Sequence, residues 1–169
     1  MRKIALLLVL LLWAFPASAA EYTAEDLFTV TYDEDFFQLD DFTFLNDCTD
    51  SREWLFMLYS TDAVVDVSRL KLDFSIENDR QRQAYLADML DSYADDQIVH
   101  VLTLDCGSQH IPFEVFQLED EEGPYLLAEA VIDGWGYDFS AYYEDSRRTL
   151  DSDLTSRLVQ LLRTFEPVK

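Results

Sequence analysis

The chain has 169 residues, 34 of them acidic against 12 basic, for a formal net charge of −22 with 49% hydrophobic side chains. A surface this negative repels nucleic acid and anionic lipid, which excludes a polyanion-binding role and favours cations or basic partners. The hydrophobic share suits one compact domain able to bury its own core, and the sequence shows neither a repeat nor a low-complexity linker.

Met1-Arg2-Lys3, the aliphatic run Ile4 to Leu12 and the small residues Pro16-Ala17-Ser18-Ala19-Ala20 make up a secretory signal peptide over residues 1–20, with cleavage expected after Ala19 or Ala20. The apolar run is too short to span a bilayer comfortably, so no stable membrane span is expected after cleavage. The absence of a cysteine at the cleavage site argues against a lipoprotein. The expected mature chain is a single domain over 21–169, secreted, periplasmic or at the cell surface. Losing Arg2 and Lys3 leaves ten basic residues against 34 acidic, a net charge of −24. Cys48 and Cys106 are the only cysteines, and export puts them in an oxidising compartment, where a single disulfide is the simplest expectation. It would close a loop of about sixty residues and contribute about 4 kcal/mol in the chain-entropy account. Two reduced buried thiols are the alternative if secretion is into an anaerobic environment.

Glu21 to Asp26 reads as a loose acidic start, with Thr23 to Asp26 a candidate helical turn. Leu27 to Tyr32 alternates and is rich in aromatic and β-branched residues, which predicts a strand ending at the acidic turn Asp33-Glu34-Asp35. Phe36 to Leu39 and Phe42 to Leu45 suggest a tight strand pair. Trp54 to Tyr59 is continuously apolar, short and aromatic, as in a central strand buried on both faces. A two-faced strand is expected from about Val67 to Ile76. Asn78 to Gln81 resembles a capping box opening a helix over about 78–94, whose Ala84, Tyr85, Leu86, Met89, Leu90 and Tyr93 recur at the spacing of one buried face. Ile98 to Cys106 and Ile111 to Leu118 predict a hairpin around Gly107-Ser108. A second amphipathic helix is expected over about 152–165, capped by Asp151 or Ser152 and stopped by Pro167.

The most informative stretch lies between these hairpin and helix predictions. Two apolar-patterned runs, Tyr125 to Ile132 and Trp135 to Tyr143, flank Asp133-Gly134. An Asp-Gly loop suits a type I′ turn, whose twist matches that of the flanking strands. The turn sets the register. Ile132 should face Trp135, Ala130 Tyr137, Ala128 Phe139 and Leu126 Ala141, all on an apolar side that leaves room for the last helix at the alanines. The other side carries Glu129, Asp138 and Ser140 with Tyr125, Leu127, Val131 and Tyr142.

Strands, a helix, four more strands and a helix predict an α+β domain built on a mainly antiparallel sheet packed by two helices. The run from Gly134-Trp135-Gly136-Tyr137-Asp138-Phe139-Ser140 to Leu158-Val159-Gln160-Leu161-Leu162-Arg163-Thr164-Phe165-Glu166-Pro167, a strand hairpin leading to a final helix, resembles the Mog1/PsbP-like family of small α/β proteins. The resemblance covers roughly the last 110 residues. It implies a sheet sandwiched by helices and, among exported bacterial members, an accessory or binding role rather than catalysis. It carries no site residue across.

No His-Glu-x-x-His, paired Cys-x-x-Cys, EF-hand loop, Gly-x-Ser-x-Gly elbow or phosphate-binding glycine loop occurs in the sequence, and no metal or cofactor is expected. Cys106 and His110 form a possible thiolate and base, but the second cysteine would consume the thiol. The acidic runs Asp33-Glu34-Asp35 and Glu119-Asp120-Glu121-Glu122 could converge on calcium, although a solvated turn is the plainer reading. Trp135, Tyr137 and Phe139 read as core. The binding candidates are therefore Tyr125, Glu129 and Tyr142. The expectation is a secreted bacterial non-enzymatic binding or accessory domain for an extracytoplasmic protein or small molecule. Its alternatives are a hydrolase using loop carboxylates and a calcium-dependent surface module.

Overall fold

The computed structural model describes residues 18–41, 52–72, 74, 76, 78–92 and 98–168. Strands β1 (Ala19–Ala24) and β2 (Phe28–Asp33) are followed by β3 (Gln38–Asp40), β4 (Arg52–Tyr59) and β5 (Ala63–Lys71). Helix α1 (Asp79–Ser92) leads to β6 (Val99–Cys106), β7 (Ile111–Asp120), β8 (Gly123–Ile132) and β9 (Trp135–Tyr143), then to α2 (Ser152–Arg163) and the short β10 (Glu166–Pro167). The fold is α+β, as the sequence predicts. A seven-stranded antiparallel sheet in the order β3-β4-β5-β9-β8-β7-β6 is accompanied by a three-stranded sheet, β1-β2-β10.

The Asp-Gly hairpin forms in the expected register, from Tyr125 opposite Tyr142 to Ile132 opposite Trp135. Asp133 and Gly134 have φ of 51° and 80°, the paired positive values that a type I′ turn needs. Ala128, Ala130, Tyr137, Phe139 and Ala141 join one core with Leu154, Leu158, Leu161, Leu162 and Phe165, so the last helix does pack on the alanine-bearing side. Its N-cap is Asp151, whose side chain accepts from the backbone N–H groups of Asp153 and Leu154. The small sheet closes the same core. Phe28 of β2 is fully buried, with ring centroids 4.7 Å from Phe165, 5.7 Å from Tyr137, 6.0 Å from Phe139 and 6.2 Å from Phe56.

Several local expectations are corrected. The proposed turn at Thr23 to Asp26 is instead the end of a strand, because Ala24 is fully buried and pairs with Phe28; Glu25 and Asp26, both at positive φ, make the tight connection. From the run after Phe36 comes β3, which pairs with β4; Phe42 to Leu45, its expected partner, lies outside the described residues. Strand β4 is interior but stands one place from the edge, and a bulge between Trp54 and Phe56 lets both Leu55 and Phe56 enter the main core. Strand β5 starts at Ala63, earlier than the polar Asp66 and Ser68 suggest, and ends at Lys71.

Gly107 shows why the chain needs a glycine between β6 and β7. Its φ is +68°, and a Cβ there would stand 2.6 Å from the backbone oxygen of Phe165. Gly107→Ala is therefore expected to cost more than about 1 kcal/mol, through left-handed strain and a backbone clash together. A lowered urea midpoint at unchanged slope would record it; an unchanged midpoint would refute this account.

Candidate functional site

The second side of the hairpin is not an open platform, as α1 lies over it. Asn78 caps this helix: its Oδ1 accepts from the backbone N–H of Gln81 at 3.1 Å, while its side-chain amide donates to Gln81 Oε1 at 3.0 Å. The helix then sets Arg82, Tyr85 and Leu86 over the middle of the sheet, and Met89 and Leu90 against Phe116, Leu118 and Leu127. Leu86 is its one buried apolar residue among the described positions.

Beneath the first half of α1, strand register lines up a polar belt. Thr103 of β6 lies opposite Glu114 of β7, Glu114 opposite Glu129 of β8, Glu129 opposite Asp138 of β9, and Asp138 opposite Ser68 of β5. Glu114, Glu129, Asp138 and Ser68 are buried at 6%, 1%, 8% and 1% exposure. Carboxylates directly opposed across strands repel one another, so each needs its own compensation.

Two of the three acids have it. Glu114 accepts from Arg82 at 2.7 Å through Oε1 and from the Thr103 hydroxyl at 2.6 Å through Oε2, with His100 Nε2 at 3.0 Å from that same oxygen. Burial pushes the Glu114 carboxyl up, but these donors outweigh it and hold it below its ordinary value. Asp138 is paired with Arg52 at 3.0 Å, and the same Arg52 nitrogen donates to Ser68 at 3.0 Å. Burial still raises Asp138 despite Arg52.

Glu129 is different. Both of its carboxylate oxygens are buried without a hydrogen bond of ordinary geometry among the described residues. Burial first, and the Asp138 charge second, push its carboxyl up to about 8, against the weaker pull of the Tyr85 hydroxyl and Arg52. Gly136 makes the room that Tyr85 uses: a Cβ there would lie 3.0 Å from the Tyr85 hydroxyl and 3.5 Å from Glu129 Oε1. With Arg52 on Asp138 and only the Tyr85 hydroxyl on Glu129, the geometry places the shared proton on Glu129 rather than on Asp138.

The three predicted binding residues separate accordingly. Glu129 is entombed. Tyr125 and Tyr142 do face each other across the strands, both half-buried. Tyr125 packs with Phe116, Leu118 and Leu127, whereas Tyr142 hydrogen-bonds Asp66, whose carboxyl burial raises to about 6. Sequence reasoning missed Glu114, Asp66, Ser68, Arg52 and Arg82. Only the Glu129–Asp138 opposition was readable from the Asp-Gly turn.

The other candidate chemistry is used structurally. Asp33 Oδ1 accepts from the N–H of Asp35 and its Oδ2 pairs with Arg157, while Asp120 accepts from the N–H groups of Glu122 and Gly123. Among the described residues no group of three or more His, Cys, Asp or Glu side chains is placed to hold a metal ion. Cys106 is buried with a free thiol, pushed up to about 11 by burial and by Asp105, and His110 pairs with Asp105 at 3.0 Å. That arrangement disfavours a thiolate nucleophile. Cys48 lies outside the described residues.

No protein-family model matches the chain, and no curated protein matches it in sequence. Among solved structures, the solution structure of cyanobacterial PsbP (CyanoP) from Synechocystis sp. PCC 6803 aligns with a TM-score of 0.53 over 90% of this chain and 94% of that one, at 10% sequence identity. The fold is PsbP-like. The likeness extends well beyond the C-terminal stretch on which the sequence resemblance rests, and it concerns architecture only. No helix among the described residues is long and apolar enough to cross a membrane.

Proposed function

We propose that this PsbP-like chain is an exported, non-enzymatic binding or accessory domain that meets a basic partner, protein or small molecule, outside the cytoplasm. The observation that carries the reading is the division of its carboxylates into two sets. The buried set lies beneath α1, where Glu114 fastens the helix through Arg82 and Asp138 holds Arg52 of β4, while an exposed set remains for a partner, including Glu119, Glu121 and Glu122 at the β7–β8 turn and Asp88 and Asp91 on α1. With a net charge of −22, such a surface steers cationic partners and raises their association rate, with strong dependence on salt. Export rests on the leader over residues 1–20, and a Cys48–Cys106 bridge belongs to the same proposal. Of the loop carboxylates that a hydrolase would use, Asp33 and Asp120 accept backbone N–H groups of their own turns.

Calorimetric titration with a lysine-rich peptide tests this. Binding is expected at low ionic strength, weakening at least tenfold between about 20 and 200 mM salt as screening shortens the reach of the surface charges. No binding at low salt would overturn the reading. A rise in melting temperature with millimolar calcium but not magnesium would replace it with the calcium-module alternative.

A further inference from the structure

The buried belt contains one carboxyl that no cation pairs directly, its oxygens facing only the Tyr85 hydroxyl, and it lies beneath α1, a helix held by few buried apolar side chains among the described residues. We propose that Glu129 and Asp138 form a proton-operated latch for α1: with a proton on Glu129 the helix stays seated on the sheet, and loss of that proton lifts the helix and uncovers the belt.

The charges around Glu129 leave no other outlet. From β7, Glu114 faces it, but Glu114 is itself anionic and engages Arg82 of α1, with Thr103 and His100 of β6 on its other side. From β9, Asp138 faces it directly and holds Arg52 of β4. From β5, Ser68 takes a further donor from the same Arg52, and Asp66 adds a carboxyl nearby that binds Tyr142. From α1, Arg82 is committed to Glu114 and Asp79, and Tyr85 offers only a neutral hydroxyl. Arg52 and Arg82 are each paired with another carboxylate, and of their buried nitrogens only Arg82 Nε is without a hydrogen bond among the described residues. A second charge beside Asp138 must then acquire water, and the cover between the pair and solvent is α1. That cover is thin. Besides Leu86, it is held by half-buried Tyr85, Met89 and Leu90 and by the Arg82–Glu114 pair. Elements held by few buried apolar contacts open locally at low cost.

Amide hydrogen exchange on the full chain between pH 6 and 9 reads the latch directly. After correction for base-catalysed intrinsic exchange, protection of the α1 amides from Tyr85 to Leu90 is expected to fall more than tenfold, while that of β8 and β9 changes little. In Glu129→Gln the α1 protection should be independent of pH. Equal α1 protection at both pH values in the wild type, or an undiminished fall in the variant, would overturn the proposal. The wild type alone supplies a second readout: the Glu129 side-chain carboxyl carbon resonance should titrate at the same midpoint as the α1 opening. A midpoint in the ordinary glutamate range near 4.3 would refute the latch. Neither readout involves a partner, so the latch and the proposed binding role fail separately.

Discussion

Replacing Phe28 by alanine is expected to lower stability by about 3 to 5 kcal/mol, the usual range for removing a fully buried phenylalanine whose neighbours cannot close the void. Phe28 is the joint between the two sheets and α2. Its ring meets Phe56 of β4, Tyr137 and Phe139 of β9 and Phe165 beyond α2, so collapse into the cavity would have to move three separate layers at once. For a chain of this size the change corresponds to a drop of roughly 6 to 20 °C in melting temperature. Thermal unfolding of Phe28→Ala beside Phe28→Leu measures it, with the leucine variant retaining more than half of the loss. A fall below about 1 kcal/mol for the alanine would mean that β1-β2-β10 is an appendage rather than part of the core.

Glu129→Gln should act in the opposite direction, and its effect should depend on pH. An acid whose folded value is raised favours folding through its protonated form. Its native state holds more protons than the unfolded chain between the unfolded value near 4.3 and the folded value of about 8. Stability therefore declines as pH rises through that window, and above it the full penalty is present. The shift corresponds to a penalty on the order of 3 to 5 kcal/mol if α1 stays seated, and less if the helix lifts to admit water. The glutamine keeps the shape but cannot ionise, so the stability difference between variant and wild type should move in the variant's favour by about 3 kcal/mol from pH 5 to pH 9. Urea unfolding at those two pH values decides the matter. Parallel pH profiles would show that Glu129 is already ionised and satisfied in the native state.

The parts of this fold that were legible in sequence are those with local causes. Asp133-Gly134 dictates a turn, the turn dictates a register, and the register correctly sorts fifteen hairpin residues between two sides. The spacing of Leu154, Leu158, Leu161 and Leu162 defines the buried side of α2 in the same way. Distant pairings were not legible. Glu21-Tyr22-Thr23-Ala24 has no strand signature of its own and becomes a strand because β2 supplies a partner and the core takes Ala24. The bulge in β4 shifts the alternation that would otherwise place Leu55 and Phe56 on opposite sides. At the candidate site, the opposition of Glu129 and Asp138 was visible but its meaning was not. Tyr125 and Tyr142 drew attention as aromatics on the side not assigned to the main core, whereas the periodicity of α1 gave no indication that this side was its seat. Arg52 and Arg82 reach the belt from β4 and α1, elements remote in sequence, so no spacing rule could have found them.

Strand β1 also has a bearing on export. It begins at Ala19, with Ala20 opposite Tyr32, and the Ser18 carbonyl already accepts the Glu34 N–H at 3.0 Å. The bond that export would cut therefore lies inside hydrogen-bonded structure. Toward β2 the main-chain groups of β1 are paired, while its other side is an edge of the small sheet among the described residues. If residues 1–20 are removed on export, as proposed above, cutting after Ala19 or Ala20 would also trim the start of β1 and take away the Ser18–Glu34 hydrogen bond.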